Sequence, residues 1–299
     1  MRDRTTEIRH HGAEGLDMRD PAEAAEFLAK VQCDAAQAVT KAAEALSRAS
    51  ELMAAALSTG GRLIYAGAGS SGLMAMADAL ELPGTYGIAE DRVAFLIAGG
   101  ADSLFGLPGH FEDDRDAARA DLARLQPTAS DCVLVASASG TTPYALQIAE
   151  DAAGAGATVI AMANNAGAPL FGSTTLSILL ETPPEPIAGS TRMGAGTAQK
   201  IAFNILSTLT AIRLGHVHDG YMVNLRADNA KLAGRAARIV AAIAGTDTSD
   251  AGKWLDKAGG SVKPAVLMAK GAASRADADR LLASHGQNLR GALEHLARQ

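Results

Sequence analysis

The sequence lacks the features that mark several large classes of protein. Its 27 basic residues are scattered and outnumbered by 33 acidic ones, with a net charge of -6, so a nucleic acid would find no basic stripe. No window reaches the roughly 18 uncharged apolar residues of a membrane span. The N-terminus, MRDRTTEIRHH, is charged where a signal peptide needs an apolar core. We therefore expect a soluble cytoplasmic protein that binds neither nucleic acid nor membrane.

Cysteine and histidine are too sparse or too dispersed for a disulfide framework or a metal site. Cys33 and Cys132 form no C-x-x-C pair, which favours buried thiols in a reducing compartment. The seven histidines include no H-E-x-x-H pair. The sequence predicts no bound metal.

A glycine-rich turn follows the first apolar run but lacks the partners of a nucleotide site. Residues 67–72, GAGSSG, have the spacing G-x-G-x-x-G. A dinucleotide site also needs an acidic residue at the end of the second strand, where this chain has glycines. The P-loop lysine is missing, and AGSSG lacks the first glycine of the G-x-S-x-G motif that would make Ser70 a nucleophile. We expect no nucleotide cofactor and no serine nucleophile.

Short apolar runs alternate with helical segments from residue 60 onward. The runs RLIYAG, RVAFLIAGG, DCVLVASASG, TVIAMAN and TLSILLE predict five strands. Between them, SSGLMAMADALE predicts a helix stopped by Pro83, and HFEDDRDAARADLARL predicts an amphipathic helix. This pattern favours an α/β fold with a doubly wound parallel sheet covered on both faces, and a ligand beyond the carboxyl ends of the strands.

Helical segments flank the predicted sheet on both sides in the sequence. Alanine-rich helices are expected within residues 20–59, and a long helix from about Gly194 to Leu214. The residues after Gly245 predict three short helices punctuated by glycines. The predicted domains are an N-terminal helical arm at 1–59, a sheet domain at 60–240 and a small all-helical domain at 241–299.

Two strand-to-helix turns combine small residues with hydroxyls in the same way. Residues 67–72 (GAGSSG) and 137–142 (SASGTT) lie 70 positions apart. Each lets the backbone approach a ligand, and the start of the following helix offers free amide hydrogens. Two matched turns favour an anion-binding site over ordinary tight turns. In AGSTRMGAGTAQK, Ser190 and Arg192 form a third candidate, with a helix cap and a surface arginine as the alternative.

Two glutamates at predicted helix ends are candidates for acid–base chemistry. Glu81 is expected at the C-terminus of the helix before Pro83, where the helix dipole and partial burial would raise its pKa and favour a general acid. Glu112 is expected in the first turn of the next helix, where the dipole favours the ionised form, hence a base. The alternatives are a solvent-facing glutamate at 81 and a purely helix-stabilising one at 112.

Eight stretches of the sequence resemble the motifs of one enzyme family. In order they are TEIRHH, GGRLIYAGAGSSG, DALELPGTYG, LIAGG, FEDD, SASGTTPY, AGSTRMGAGTAQK and NAKL. Their order and spacing are similar to those of the N-acetylmuramic acid 6-phosphate etherases, which carry a sugar isomerase (SIS) domain and are related to the glucokinase regulatory protein. The resemblance runs from about Thr6 to the end of the chain. It implies a SIS-type five-stranded sheet followed by the small helical domain that ends the etherases.

The resemblance also implies a reaction and a role for each candidate residue. The family cleaves the lactyl ether of its sugar phosphate by elimination followed by water addition, without a cofactor, and releases N-acetylglucosamine 6-phosphate and D-lactate. Glu81 matches the family's acid/base glutamate, and Glu112 matches its second glutamate. The implied substrate-binding residues are Ser137, Ser139 and Thr142 at the phosphate, and Ser70, Ser71, Ser190 and Arg192 around the rest of the amino-sugar phosphate.

The length of the predicted helix that ends at Glu81 implies that a second copy of the chain takes part in the site. A helix from Ser71 to Glu81 is about 15 Å long, so Glu81 cannot touch a ligand at the start of its own helix. We expect a homodimer in which Glu81 serves a substrate held by other loops. The chain departs from the family at Leu73, Thr141 and Gly194, where members usually carry a basic residue. A non-catalytic sugar-phosphate-binding regulator and a SIS-type aldose–ketose isomerase are the alternative functions.

Overall fold

A computed structural model describes residues 4–225 and 230–298, apart from the side chains of Leu104 and Ala230. Asn229, in the NAKL stretch, lies outside the described residues. The chain separates into two compact units. The first comprises Met1–Leu80 and Asp91–Ser207, and the second comprises Glu81–Glu90 and Thr208–Gln299.

The predicted division at 59/60 and 240/241 differs from these two units. The N-terminal helices belong to the same compact unit as the sheet, and residues 208–240 group with the C-terminal helices. The three-part division stays a prediction about segments that fold on their own, which compactness alone does not test.

Five short strands form the parallel sheet of the first unit. They are β1 (Leu63–Gly67), β2 (Val93–Ile97), β3 (Cys132–Ser137), β4 (Thr158–Ala163) and β5 (Leu176–Leu179). Their order in the sheet is β2-β1-β3-β4-β5, and every neighbouring pair is parallel. The central strands β1 and β3 are buried along their whole length, as expected where helices cover both faces. The predicted doubly wound α/β fold is confirmed.

Six helices accompany the sheet. They are α1 (Pro21–Lys41), α2 (Ala43–Ser58), α3 (Gly69–Tyr86), α4 (Arg115–Leu125), α5 (Pro143–Gly154) and α6 (Gly194–Arg213). Sequence signals explain the start of α1, because the Asp20 side chain accepts a hydrogen bond from the Ala22 amide and Pro21 occupies the first helical position. Ile64, Val133 and Ile148 join the buried core where the sheet packs against α5.

The prediction that α3 stops before Pro83 is wrong. The helix continues through Pro83 to Tyr86, and the Gly87 amide donates to the Pro83 carbonyl at 3.0 Å. Bonds from residues distant in sequence hold this last turn: the Tyr86 hydroxyl bonds Thr208 Oγ1 at 2.7 Å, and Asn224 Nδ2 donates to the Tyr86 carbonyl at 3.1 Å. These tertiary bonds offset the amide hydrogen that proline removes from the helix.

Besides the ends of α3 and α6, the described residues of the second unit form a hairpin and five helices. Strands β6 (Val217–His218) and β7 (Tyr221–Met222) pair antiparallel across an Asp219-Gly220 turn, in which both residues have positive φ, the sequence signature of a tight hairpin. The helices are α7 (Ala230–Ala244), α8 (Thr248–Lys257), α9 (Val262–Ala269), α10 (Arg275–Ser284) and α11 (Leu289–Leu296).

Four of these helices follow Gly245, where the sequence predicted three. Three glycine-containing breaks separate them, at Gly259-Gly260, Gly271 and Gly286, and all four glycines have positive φ. Each break ends a helix because glycine adopts this conformation without the steric cost of a Cβ. The all-helical character of the C-terminal region is as predicted.

Candidate active site

The carboxyl ends of β1 and β3 place the two hydroxyl-rich turns side by side. Strand β1 lies between β2 and β3, so the chain leaves it in one direction and later returns on its other side. The register pairs Gly67 with Ala136, so both turns begin at the same level of the sheet. A reversal of strand order of this kind is where α/β sheets bind ligands.

The turn after β3 gathers three hydroxyls at the start of α5. Ser137 Oγ lies 2.8 Å from Thr142 Oγ1 and 3.4 Å from Ser139 Oγ. The Gly140 amide donates to Ser137 Oγ at 3.0 Å, with Gly140 at a φ of 69°. Thr142 is the N-cap of α5, and its side chain makes no capping bond. The structure therefore brings the three predicted phosphate-binding residues together at a helix N-terminus, where an anion is stabilised.

Thr141 stands where the family pattern usually has a basic residue. Its amide and its hydroxyl donate to Ser139 Oγ at 3.2 and 3.1 Å. These bonds orient the Ser139 oxygen within the hydroxyl cluster. Thr141 thus supports the cluster through hydrogen bonds rather than through a positive charge.

The glycines of the first turn, residues 67–72, allow the backbone of α3 to pack closely against the backbone of β1. A Cβ on Gly72 would lie 2.9 Å from the Gly67 carbonyl oxygen, nearer than real side chains approach. The first turn of α3 therefore packs directly on the end of β1, which only glycine permits. Ser70 is partly buried and Ser71 is 7% exposed in this turn. Tight strand–helix packing accounts for the G-x-G-x-x-G spacing without a nucleotide.

The side chain of Glu112 extends to the first hydroxyl-rich turn, residues 67–72. A Cβ on Gly69, which has a φ of 52°, would lie 2.6 Å from Glu112 Oε1. The Glu112 carboxylate thus occupies the space that a side chain at position 69 would need. One predicted catalytic group therefore lies beside the start of α3.

The prediction that a helix dipole favours the ionised form of Glu112 is wrong. Glu112 lies in a 3-10 helix, Gly109–Asp113, and α4 begins only at Arg115 with Asp114 as its cap. The α4 dipole therefore does not act on Glu112 as supposed. Burial, and then the negative charge of Asp113, raise the pKa of the Glu112 carboxyl. A carboxylate with a raised pKa is a stronger base once ionised.

A buried carboxylate that the sequence reasoning missed occupies the start of α6. Glu185 is 1% exposed and accepts hydrogen bonds of 2.8 Å from the amides of both Gly194 and Ala195. Burial raises the pKa of Glu185, and the two amide bonds oppose that rise. Glu185 precedes the helix by nine residues, so no local capping pattern reveals it.

The third predicted anion site depends on Ser190, on Arg192 and on a position just before a helix. Ser190 is partly buried and Arg192 is exposed in the turn before α6. Their side chains remain candidates for substrate contact, while Glu185 fills the helix N-terminus itself.

Glu81 is exposed on α3, five residues before the helix ends at Tyr86. The predicted placement at the negative end of the helix dipole is wrong, because that end lies beyond Pro83. Glu81 belongs to the second compact unit and Glu112 to the first. Its catalytic role stays a prediction.

Metal and membrane features are absent from the described part of the chain. Within residues 4–225 and 230–298, no three His, Cys, Asp or Glu side chains are grouped as metal ligands. Among the described helices, none has the length and hydropathy of a membrane-spanning segment.

The fold and the site define a SIS-domain protein. A SIS domain family model matches residues 26–164. A solved structure from Bacteroides fragilis, described as a phosphosugar isomerase involved in capsule formation, superposes with a TM-score of 0.50 at 22% identity. The superposition covers 67% of this chain and 96% of that one, and it supports the fold alone.

Curated relatives identify the family more narrowly. The N-acetylmuramic acid 6-phosphate etherase of Deinococcus radiodurans is 41% identical over 284 residues, covering 95% of this chain and 93% of the relative. The etherase of Serratia proteamaculans is 38% identical, covering 96% and 97%. The etherase of Streptomyces coelicolor is 41% identical, covering 86% and 82%. The chain belongs to the N-acetylmuramic acid 6-phosphate etherase family.

Proposed function

We propose that this protein is a carbon–oxygen lyase that cleaves the D-lactyl ether of N-acetylmuramic acid 6-phosphate. The products are N-acetylglucosamine 6-phosphate and D-lactate. The observation that carries the proposal is the 41% identity to an etherase over 95% of the chain. The hydroxyl cluster at the start of α5 supports it, because hydroxyls at a helix N-terminus suit a phosphate.

The proposal includes a place in the cell and in metabolism. N-Acetylmuramic acid is a cell wall sugar, so the reaction belongs to cell wall recycling. Cys33 and Cys132 are free thiols, which persist in a reducing compartment such as the cytoplasm. Cys132 is buried as predicted, whereas Cys33 is exposed, so the prediction of a buried thiol is wrong at that position.

Substrate binding divides between the two turns. Ser137, Ser139 and Thr142 hold the phosphate with the first amides of α5, and the sugar extends toward the first turn. Residues proposed to contact the sugar and its substituents are Ser70, Ser71, Ser190 and Arg192.

The chemistry needs one base and one acid. In the open-chain sugar the aldehyde acidifies the hydrogen on carbon 2, and Glu112 removes it. As the double bond forms between carbons 2 and 3, Glu81 protonates the departing ether oxygen and D-lactate leaves. Glu81, now ionised, takes a proton from water as the hydroxide adds to carbon 3, and Glu112 returns a proton to carbon 2.

Exposed apolar side chains support the predicted homodimer. Leu80, next to Glu81, is 60% exposed, and Phe105 and Leu107, in the segment that leads to Glu112, are 94% and 47% exposed. Apolar surface of this kind favours contact with a second copy. In the proposed dimer, Glu81 of one copy completes the site of the other.

The direct test is lactate release from N-acetylmuramic acid 6-phosphate. We expect turnover by the wild type and losses above about 100-fold in Glu81→Gln and Glu112→Gln. Glu44→Gln, an exposed glutamate on α2, is the control and should remain active. A wild type that binds the substrate without lactate release would contradict the proposal and favour the regulator. Interconversion of aldose and ketose would favour the isomerase.

Mixing the two inactive variants tests the dimer separately. After subunit exchange, a mixed dimer of Glu81→Gln and Glu112→Gln has one site with both wild-type glutamates if each site draws on two copies. Activity should then return, to about a quarter of the wild-type value at equal mixing. A fully active monomer, or no recovery despite demonstrated exchange, would exclude the shared site.

A further inference from the structure

A buried carboxylate on α3 has no role in the chemistry proposed above. Asp78 is 4% exposed. It accepts hydrogen bonds from the Tyr65 hydroxyl on β1 at 3.1 Å, and from Asn204 Nδ2 and Ser207 Oγ on α6 at 2.8 and 3.0 Å. Three side chains from two other elements thus converge on one carboxylate.

The buried face of α3 carries one large side chain, Leu82, which is 1% exposed. Its other buried positions around Asp78 are small: they are Ser71, Gly72, Ala75 and Ala79, and both alanines are 1% exposed. Such side chains let a helix approach closely but do little to specify its rotation or its position along its axis, because small shifts keep similar contacts. Hydrogen bonds are directional, so the Asp78 bonds form in only one placement of α3.

Burying a carboxylate in this core is costly unless it is fully hydrogen-bonded. An apolar residue would avoid that cost, and the best-attested use of buried polar groups is to specify register. Asp78 lies three residues before Glu81 on the same continuous helix, and positions i and i+3 lie on the same side of a helix.

We propose that Asp78 is a positioning residue that sets the placement of α3, and through it the placement of the Glu81 carboxyl group. The inference rests on the proposed function, in which Glu81 protonates the departing ether oxygen. A displacement of about 1 Å at a reacting group lowers the rate by about 100-fold. Asp78 therefore acts on kcat and has little effect on substrate binding at the hydroxyl cluster.

The first test is Asp78→Asn. The asparagine replaces one of the two accepting oxygens with an NH2 group, which cannot accept the bonds donated to that oxygen. We therefore expect kcat for lactate release to fall by about 100-fold with KM changed by less than about threefold. Tyr65→Phe removes one of the three bonds and keeps the carboxylate, so its kcat should fall less. This milder variant covers the case in which Asp78→Asn does not fold.

A double variant tests the hydrogen bonds themselves. In Asp78→Asn with Asn204→Asp, the new side-chain amide at position 78 can donate to the carboxylate at position 204 and to Ser207 Oγ, while its carbonyl accepts from Tyr65. Each of these three bonds then has a donor and an acceptor, so kcat should recover by at least about tenfold over Asp78→Asn. No recovery in a folded double variant would contradict the proposal.

Asp131→Asn is the matched control. Asp131 has a side chain 2% exposed and bonds Arg62, but it precedes β3 at the opposite, amino edge of the same sheet. The Asp131→Asn substitution should lower the free energy of unfolding but should not lower kcat beyond what that loss of stability causes. An equal loss of kcat in the two variants at matched stability would reduce Asp78 to a general structural role and overturn the inference.

Deuterium exchange separates the two halves of the reaction. In D2O, removal of the carbon 2 hydrogen by Glu112 labels recovered substrate, whereas lactate release also needs Glu81. Asp78→Asn should keep exchange within about threefold of wild type while lactate release falls. Equal losses in both would overturn the inference. A wild type that releases no lactate would instead overturn the proposed function, and this inference with it.

Discussion

Replacing Gly69 with alanine should slow catalysis by displacing Glu112. The new Cβ would lie 2.6 Å from Glu112 Oε1. Ordinary contact needs about 3.5 Å, so the carboxylate must move by roughly 0.9 Å. A shift of that size at a catalytic base lowers the rate by about 100-fold, which is about 2.7 kcal/mol of activation free energy.

Backbone strain contributes separately to the effect of this substitution. Gly69 has a φ of 52°, and a side chain in that conformation costs about 1–2 kcal/mol of folding stability. Gly15, with a φ of 62°, offers a matched control, because a Cβ there would have no atom within 4 Å. Gly15→Ala should share the strain and keep the activity.

The assay combines lactate release with urea unfolding of both variants. We expect similar losses of stability and a loss of kcat confined to Gly69→Ala. If Gly69→Ala keeps wild-type kcat, Glu112 either is not the base or tolerates displacement, and the contact with Gly69 does not position a catalytic group.

Three further measurements probe the site and the fold. Ser139→Ala should raise KM by about 10-fold or more through loss of a bond to a charged phosphate, whereas Ser130→Ala, exposed at the amino edge of the sheet, should not. Asp113→Asn should move the acidic limb of the kcat/KM pH profile to lower pH, because the charge of Asp113 raises the pKa of Glu112 and the base works ionised; an unmoved limb would exclude that coupling. Burial disfavours ionised Asp131, but its hydrogen bonds outweigh burial and lower its pKa to about 2. Asp131→Asn should therefore cost about 2 kcal/mol at pH 7, a cost that shrinks as the pH falls from 3.8 toward 2 in urea unfolding.

Local sequence determined the sheet and the position of both hydroxyl-rich turns. Each predicted strand overlaps an observed one, and the observed bounds lie within the quoted runs. A short, wholly apolar run can be satisfied by a buried parallel strand, and the serines and threonines that follow it must then lie at the carboxyl edge. Ser137, Ser139 and Thr142 converge for this reason. Their convergence can be predicted without knowledge of distant contacts.

Tertiary contacts decided the details that local sequence could not. Pro83 predicts a helix end, but Thr208 and Asn224 hold the helix beyond it. Glu185 accepts hydrogen bonds from the first two amides of α6, nine and ten residues further along the chain.

The buried network on α3 also joins residues that are far apart in the sequence. Asp78 and Asn204 are 126 residues apart in the chain, and no short-range pattern pairs them. Apolar periodicity is a local property of the chain, and it determined which segments become strands and which turns carry the hydroxyls. The partner of each buried polar group depends on how the finished elements pack, so the end of α3, the occupant of the α6 N-terminus and the surroundings of Glu112 were decided only in the folded protein.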